Sequence, residues 1–365
     1  MCQNADSTSI SWVSFIMRST SGEAVSRVST LKDLAEYLGL STASVSLVIN
    51  RSPAAKSIPQ STQDRIRAAA RELNYRPNFM ASSLRRKRSA TIGVLVAEIS
   101  EGYAPLVISG IEEHLIEKGY FYFVASHRHR ADLLNQYPRL LQQRAVEGLI
   151  AVDTPCTETT LVPLVSVSGH RNVEGVTNIT LNHAQAAQLA LKHLHALGHR
   201  SIAFIKGQDF SADTEVRWKA IAESAKTLGL KIDPRLVVQL EGYYGSSELG
   251  YAVTRKLLAT EVNFSALFAF NDISAIGAIH ALRAAGRRVP EDVSVVGFDD
   301  IPSAAFQNPG LTTVRQPLRQ MGALAAETLL RRIGAAPGTP YAKVITVEPE
   351  FVVRASTAAV AVNGR

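Results

Sequence analysis

Short apolar β-rich runs alternate with amphipathic helical segments from residue 91 onward, and this alternation constrains the fold more than any other feature of the sequence. The first run is Thr91–Ala97, and the amphipathic segment Leu106–Lys118 follows it. The order strand, helix, strand predicts parallel strands, because the helix carries the chain back across the sheet. The pattern occurs in two series, which predicts two parallel-sheet lobes. The other predicted strands are Tyr120–Ala125, Gly148–Val152, Ser201–Ile205, Ala266–Ala269 and Val293–Gly297, and the other predicted helices are Ala184–Leu197, Thr214–Leu228, Ser246–Ala259 and Ile273–Ala285.

Polar residues directly follow two of these predicted strands. Asn271 and Asp272 follow one strand, and Asp299 and Asp300 follow another. Ligands of parallel sheets bind beyond the carboxyl ends of the strands, and two facing lobes would enclose a ligand in a cleft. The residues alone leave a second interpretation open, in which Asp272 caps a helix and Asp300 begins the turn before Pro302.

Three short helices are predicted ahead of residue 76. Apolar residues at positions 31, 34, 35 and 38 recur with helical spacing, Gly39 supplies a turn, and Ser41 is a favourable N-cap for a second helix that ends near Asn50. A third amphipathic segment runs from Pro59 to Leu73. Two helices joined by a glycine-containing turn predict a helix-turn-helix, whose second helix would enter the DNA major groove. The candidates for contact in that helix are Thr42, Ala43, Ser46 and Leu47.

The excess of positive charge lies at the amino-terminal end of the chain. Residues 1–90 contain 13 Lys and Arg but 6 Asp and Glu, a net charge of +7, whereas residues 91–365 contain 26 of each. A small basic domain beside a neutral bulk is what binding to DNA phosphates requires. The basic run Arg85–Arg88 alone would equally suit a solvated surface, so the interpretation depends on the helices before it.

Length and composition place the chain among globular proteins of more than one domain. The chain has 365 residues, of which 46% are hydrophobic and 19% are charged. No apolar run is long enough to cross a bilayer, and we recognise no secretion signal. The chain has two cysteines, Cys2 and Cys156, so a disulfide framework is not expected. We therefore expect a cytoplasmic protein without a membrane partner.

Neither a metal site nor an enzymatic site is expected from the sequence. No carboxylate or cysteine lies at ligand spacing from the histidines that could form a metal site, which are the neighbouring pair His127 and His129 and the group His193, His195 and His199. The chain also has no glycine-rich phosphate loop and no constellation of nucleophile and base. We expect neither a metal nor another cofactor.

Separated motifs give the chain a family resemblance. Five motifs occur in this order: Leu-Lys-Asp-Leu-Ala, Val-Ser, Asn-Tyr-Arg-Pro-Asn, Ser-Leu and Thr-Ile-Gly-Val. Together they resemble the LacI/GalR (lactose-repressor/galactose-repressor) family of transcription regulators, and the resemblance extends along most of residues 29–355. The resemblance implies an α/β fold with a two-lobed, periplasmic-binding-protein-like effector domain behind an all-α helix-turn-helix domain. The expected divisions are a disordered tail 1–27 with an alternative start at Met17, a DNA-binding domain 28–76, a hinge helix and linker 77–90, an effector and dimerisation domain 91–355, and a flexible tail 356–365.

The resemblance also implies which residues meet DNA. Asn78–Leu84 matches the family's hinge helix, so Leu84 is the expected minor-groove wedge and Ala81 a small residue near the paired hinge; a buried linker leucine is the alternative. Leu47 stands where many members carry a base-reading arginine, and leucine offers a contact to a thymine methyl group only. The loop Arg51–Ile58 is longer than usual, which suggests either a DNA contact or a bulge into solvent. The full expected set is Thr42, Ala43, Ser44, Ser46, Leu47, Asn50, Tyr75, Asn78, Ala81 and Leu84.

The residues that the resemblance assigns to the ligand are Asp299, Arg217, Asn271 and, on weaker spacing, Tyr244 or its neighbour Tyr243. A carboxylate that accepts hydrogen bonds from hydroxyl groups and a guanidinium that donates a planar fork suit a sugar or polyol, and would tolerate an acid or phosphate. The expected partners are double-stranded operator DNA, a sugar-like effector and a second copy of the chain.

The sequence therefore predicts a ligand-responsive transcription regulator, a repressor, in which the ligand changes the angle between the lobes. The ligand could release or promote DNA binding, and both directions stay open. Two alternatives are a two-lobed binding protein of a transport system, which would need export, and an α/β enzyme that uses the aspartates for acid–base or phosphoryl chemistry.

Overall fold

A computed structural model of the chain describes residues 30–76, 83, 88–99, 102–156, 160–242, 246–336 and 338–360. The chain divides into two compact units, Met1–Arg86 and Lys87–Arg365. Among the described residues, every helix is either too short or too polar to cross a membrane. The expected tail 1–27 lies outside the described residues.

The first unit contains the three predicted helices, α1 (Leu31–Leu38), α2 (Thr42–Ile49) and α3 (Gln60–Glu72). Thr30 and Asp33 form a capping box at the start of α1, because each side chain accepts a hydrogen bond from the backbone N–H of the other. Gly39 ends α1 with a φ of 66°, a left-handed conformation that glycine adopts readily. The helices pack around a small core of Leu34, Ala35, Val45, Val48, Ala55, Ile66, Ala69 and Ala70.

The loop after α2 is anchored to the rest of this unit. Pro53–Ser57 forms a 3-10 helix, and Ala55 within it is buried. Gln63 on α3 donates hydrogen bonds from Nε2 to the carbonyl oxygens of Ala55 and Ile58, at 3.0 and 2.9 Å. The longer loop is therefore a packed element and does not bulge freely into solvent.

The second unit contains two six-stranded sheets, as the two series of runs predicted. The first sheet has the order β11-β5-β4-β3-β1-β2 and consists of the parallel strands β1 (Thr91–Val96), β2 (Phe121–Ser126), β3 (Gly148–Val152), β4 (Leu164–Val167), β5 (Val176–Leu181) and β11 (Val344–Val347). The second sheet has the order β12-β10-β9-β8-β6-β7 and consists of β6 (Ile202–Lys206), β7 (Val237–Gln239), β8 (Ala266–Phe268), β9 (Ser294–Asp299), β10 (Thr312–Arg315) and β12 (Glu350–Val352). β12 is antiparallel to β10, and the other pairs are parallel.

Each sheet and its helices form a lobe. The first lobe carries α4 (Tyr103–Glu117), α5 (Ala131–Gln143) and α11 (Leu318–Gly334), and the second carries α6 (His183–Ala196), α7 (Ala212–Thr227), α8 (Ser247–Leu258), α9 (Asp272–Ala284) and the short α10 (Pro302–Ala305). The chain passes between the sheets from β5 to α6, from β10 to α11 and from β11 to β12. These passages give two facing lobes within one unit.

Helix pairs in both lobes approach at glycines. A Cβ atom at Gly322 on α11 would lie 2.0 Å from the carbonyl oxygen of Val107 on α4. A Cβ atom at Gly277 on α9 would lie 1.9 Å from the carbonyl oxygen of Ser247 on α8. The helix backbones touch at these points, so each lobe is held together by close helix packing as well as by its sheet.

The end of the chain differs from the expected flexible tail. Ser356 is buried, donates a hydrogen bond from Oγ to the carbonyl oxygen of Val295 at 2.6 Å, and accepts one from the backbone N–H of Thr312 at 2.8 Å. The backbone N–H of Val360 donates to the carbonyl oxygen of Leu197 at 2.9 Å. The expectation is wrong for residues 356–360, which pack against the second lobe because they satisfy polar groups at the end of its sheet.

Candidate ligand cavity and DNA-binding helix

A cavity of about 100 Å³ lies between the two lobes of the second unit. Residues that follow strands of both sheets line it, among them Asp153 after β3 and Asp299 at the end of β9. This is the position at which parallel sheets bind ligands. Arg217, Asn271 and Asp299, predicted from separate parts of the sequence, line this one cavity.

Arg217 is held rigidly at the cavity wall. Its side chain projects from α7 and is 3% exposed. One Nη group donates to the carbonyl oxygen of Phe270, and the other donates to Oδ2 of Asp213 at 3.0 Å. The guanidinium also stacks on Phe298, with Cζ 3.7 Å from the ring centre. Nε is buried without a hydrogen-bond partner among the described residues.

Asp299 is a buried carboxylate on strained backbone. Its φ is 110°, in the left-handed region that favours glycine, which is typical of residues held in place for a functional reason. Oδ1 accepts a hydrogen bond from Nε2 of Gln316 at 2.6 Å. Burial raises the pKa of Asp299 to about 7, against the opposing effects of Arg217 and Gln316. The Asp299 carboxyl group therefore accepts hydrogen bonds in a site where the negative charge of an added group, such as a ligand carboxylate, would be unfavourable.

Asp153 is a second cavity carboxylate, and the sequence analysis missed it. Burial, followed by the charge of Asp213, raises the pKa of Asp153 to about 7. Ser211 of the second lobe donates a hydrogen bond to Oδ1 of Asp153 at 3.4 Å. The signal was available, since Asp153 directly follows the predicted strand Gly148–Val152 in the same way that Asp299 follows its strand.

Asp213 is the third carboxylate at the cavity and was also missed. Besides Arg217, it accepts hydrogen bonds through Oδ1 from Nε2 of His170 at 2.6 Å and Nε2 of His183 at 3.3 Å. Burial alone would raise the pKa of Asp213, but the two histidines and the guanidinium outweigh it and hold the pKa well below its usual range. Asp213 therefore stays ionised and fixes the orientation of Arg217.

Asn271 and two aromatic rings form a further part of the cavity wall. Asn271 is the N-cap of α9, and its Oδ1 accepts a hydrogen bond from the backbone N–H of Ser274 at 2.9 Å. This contact leaves the side-chain NH₂ for a ligand. His129 of the first lobe and Phe210 of the second stack with ring centres 3.7 Å apart at the cavity. Tyr244 and Tyr243 lie outside the described residues.

The aspartates next to the candidate ligand residues have structural roles. Asp272 accepts hydrogen bonds from the Thr313 hydroxyl and from the backbone N–H of Ile301, while Asn271 is the residue that caps the helix. Asp300 forms ion pairs with Arg315 and Arg354 at 2.7 and 2.6 Å. These contacts agree with the alternative interpretation that both aspartates are structural, but Asp272 is not the helix cap that it proposed, because Asn271 occupies that position.

The expected DNA-contacting residues on α2 differ in exposure. Thr42 and Ala43, in its first turn, are exposed, and Ser44 is half-buried with its Oγ 2.9 Å from Oγ of Ser41. This end of α2 presents small and polar groups that can approach a groove closely.

The other expected DNA-contacting residues on α2 and after α3 also make contacts inside the first unit. Oγ of Ser46 accepts a hydrogen bond from Nδ2 of Asn50 at 3.0 Å. Leu47 and Tyr75 are half-buried and pack against the small core, so Leu47, which was expected as an exposed contact residue, is only partly exposed. The reason is the small size of this core, because the eight-residue α2 packs Leu47 and Ile49 against it in addition to its buried residues Val45 and Val48. The hinge residues Asn78, Ala81 and Leu84 lie outside the described residues.

Comparison with known proteins agrees with both units. Residues 30–78 match the family described as bacterial regulatory proteins, lacI family, and residues 191–357 match the periplasmic binding protein-like domain. The HTH-type transcriptional repressor PurR of Pasteurella multocida (strain Pm70) is 32% identical over 339 residues, which cover 90% of this chain and 98% of that protein.

Solved structures of bacterial regulators are also similar to this chain. The lac repressor dimer bound to operator and the anti-inducer ONPF superposes with a TM-score of 0.80 and 26% identity, covering 91% of this chain and 100% of that chain. The complex of the transcriptional regulator CelR with cellobiose has a TM-score of 0.65 and 27% identity, with 90% and 99% covered. The helix-turn-helix unit, the two-lobed unit with its cavity and these full-length similarities establish that the chain belongs to the LacI family of bacterial regulatory proteins.

Proposed function

We propose that this protein is a ligand-responsive, sequence-specific DNA-binding repressor, and that its effector is a neutral, sugar-like molecule. The observation that carries the proposal is the cavity in which Arg217, Asn271 and Asp299 converge, in the same chain as a helix-turn-helix unit. PurR of Pasteurella multocida is a transcriptional repressor, and the lac repressor structure contains operator DNA, which supports the DNA-binding part.

The charges of the cavity favour a neutral ligand. The charge of Arg217 is met by Asp213 at 3.0 Å, whereas neither Asp153 nor Asp299 forms an ion pair with a basic side chain among the described residues, and both have raised pKa values despite the charge of Arg217. A phosphate or carboxylate would add negative charge beside these two groups in a buried site. Hydroxyl groups donate hydrogen bonds to carboxylates and need no counter-charge, which supports a sugar or polyol.

The DNA-binding surface is proposed on α2 and the hinge. Thr42, Ala43, Ser44, Ser46 and Asn50 would face the major groove, with Leu47 and Tyr75 partly in the core and partly at the DNA. In the hinge, Leu84 would wedge into a minor-groove step and Ala81 would allow the paired hinge helices to approach. A homodimer would read a two-fold symmetric operator, and the lac repressor structure is itself a dimer.

Effector binding would act through the angle between the lobes. Ligand and operator must each prefer one lobe arrangement, since a ligand of equal affinity for both would shift nothing. We propose binding without turnover, in the cytoplasm; the relatives are transcriptional repressors, which supports a non-enzymatic role.

The test is an in vitro selection of genomic DNA fragments on the purified full chain, followed by fluorescence anisotropy on the enriched sequence with neutral sugars and their phosphorylated forms. We expect a near-palindromic operator and a change of operator affinity with a neutral sugar, without consumption of that sugar. Asp299→Asn should remove the sugar response and retain DNA binding. The absence of any enriched sequence, with or without a metabolite extract, would contradict DNA-binding, and a response confined to phosphorylated compounds would contradict the neutral effector.

A further inference from the structure

Two histidines that the proposed function does not use converge on one carboxylate oxygen beside the cavity. Nε2 of His170 lies 2.6 Å and Nε2 of His183 lies 3.3 Å from Oδ1 of Asp213, and all three atoms fall within 4.8 Å of one another. His183 and Asp213 are buried, and the His170 side chain is 17% exposed. Two imidazole nitrogens and a carboxylate oxygen pointing to one place form a ligand set for a transition metal.

The spacing of these atoms is close to that of a metal site. Zinc binds imidazole nitrogen at about 2.0–2.1 Å, which places tetrahedral ligand atoms roughly 3.3 Å apart. The separation of His183 and Asp213 already has this value, and the shorter separation of His170 and Asp213 would have to increase by less than about 1 Å. Small rotations of the half-buried His170 ring would provide the increase.

A neighbouring side chain orients the carboxylate of this ligand set. Arg217 donates to Oδ2 of Asp213 at 3.0 Å, so the carboxylate is oriented with Oδ1 toward the histidines.

We propose that His170, His183 and Asp213 bind one divalent transition metal ion, such as Zn²⁺, that bridges the two lobes. His170 follows β4 of the first lobe, whereas His183 begins α6 and Asp213 lies in the first turn of α7, both in the second lobe. Three protein ligands leave a coordination position open, and Asp213 lines the cavity, so a hydroxyl group or water there could complete the coordination.

The three residues lie too far apart in the sequence for spacing to have revealed the site. Without the ion, Nε2 of each histidine donates a hydrogen bond to the carboxylate. With the ion bound, Nε2 of each neutral ring would ligate the metal, and the ring proton would be carried on Nδ1 instead. A bound ion would also fix the angle between the lobes, and only this consequence for DNA binding depends on the proposed function. Metal binding itself can be measured without DNA or effector.

The test is a titration of the untagged, chelator-treated full chain with CoCl₂, followed by visible absorption, and with ZnCl₂ in a calorimeter. We expect one ion per chain and the absorption bands of four- or five-coordinate Co²⁺. His170→Ala should weaken metal binding at least about tenfold, because it removes a direct ligand. The His170 side chain is partly exposed, so we expect its removal to affect folding little. Asp213→Asn provides a second variant of nearly the same shape.

His280→Ala is the matched control, since His280 is exposed on α9 and far along the chain from the three ligands. Its metal binding should equal that of the parent protein. Only the weak visible absorption of octahedral Co²⁺, no calorimetric signal at millimolar Zn²⁺, or equal binding by the His170→Ala protein would overturn the proposal. Circular dichroism of each variant distinguishes a lost ligand from a lost fold.

Discussion

Replacing Asp299 with asparagine removes a charge that the folded cavity disfavours, and the structure predicts how the effect depends on pH. Burial raises the pKa of Asp299 to about 7, so the folded protein retains a proton that the unfolded chain has lost. For a raised aspartate pKa the unfolding free energy falls as pH rises from about 4 to about 7. Asparagine keeps the oxygen that accepts from Gln316 and cannot ionise.

The magnitude follows from the difference between the two pKa values. With 3.8 unfolded and about 7 folded, ionisation of Asp299 lowers the unfolding free energy by about 3 kcal/mol more at pH 8 than at pH 4.5. At this domain size about 1 kcal/mol corresponds to roughly 2 °C, so the melting temperature of Asp299→Asn minus that of the parent should increase by about 6 °C over this range.

The assay is calorimetric melting of both proteins between pH 4.5 and 8, with the transition of the second unit compared at each pH. Asp300→Asn is the matched control, because the adjacent Asp300 forms ion pairs with Arg315 and Arg354 and its loss should lower the melting temperature at pH 8. If the melting temperatures of Asp299→Asn and the parent differ by the same amount at pH 4.5 and at pH 8, the raised pKa of Asp299 is refuted.

Three further changes test the hinge, the cavity and the helix packing. Leu84→Ala should weaken operator affinity by at least about tenfold and leave effector affinity unchanged in calorimetry, since the wedge contacts DNA alone; equal operator affinity would exclude the wedge. Arg217→Lys should abolish the effector response in the anisotropy assay, because lysine lacks the planar fork and the stacking on Phe298; an unchanged dose response would remove Arg217 from the site. Gly322→Ala should lower the unfolding free energy by about 1–3 kcal/mol in denaturant melts, because its Cβ would meet the α4 backbone, whereas Gly334→Ala faces open space and should not; equal effects would contradict the close contact.

Long periodic segments were predictable from the sequence, and short or interrupted ones were not. The predicted helix Ile273–Ala285 and strand Gly148–Val152 agree with α9 and β3. Helix α5 was missed, because Pro138 inside it is a residue that normally breaks a helix. Strands of three or four residues, such as β7 and β12, are too short to show a period, and their pairing with longer strands is what forms them.

The candidate site was predicted in part for the same reason. Asp299 and Asn271 follow clear strands, so the rule that ligands bind at strand ends finds them. Arg217 came only from the family resemblance, since nothing local marks one arginine of a helix. The contacts of Asp213 with His170 and His183 join a loop and two helices, and no local spacing can show such a meeting.

Contacts between the lobes cluster at the cavity, which explains how a small ligand could control a large unit. His129 stacks on Phe210, Asp153 accepts from Ser211, and Asp213 accepts from His170, in each case across the two lobes. The first-lobe partners follow the parallel strands β2, β3 and β4, so they lie at the carboxyl edge of one sheet. A ligand that replaced or strengthened some of these contacts would have different affinities for different lobe angles. That difference in affinity is the thermodynamic requirement for a switch.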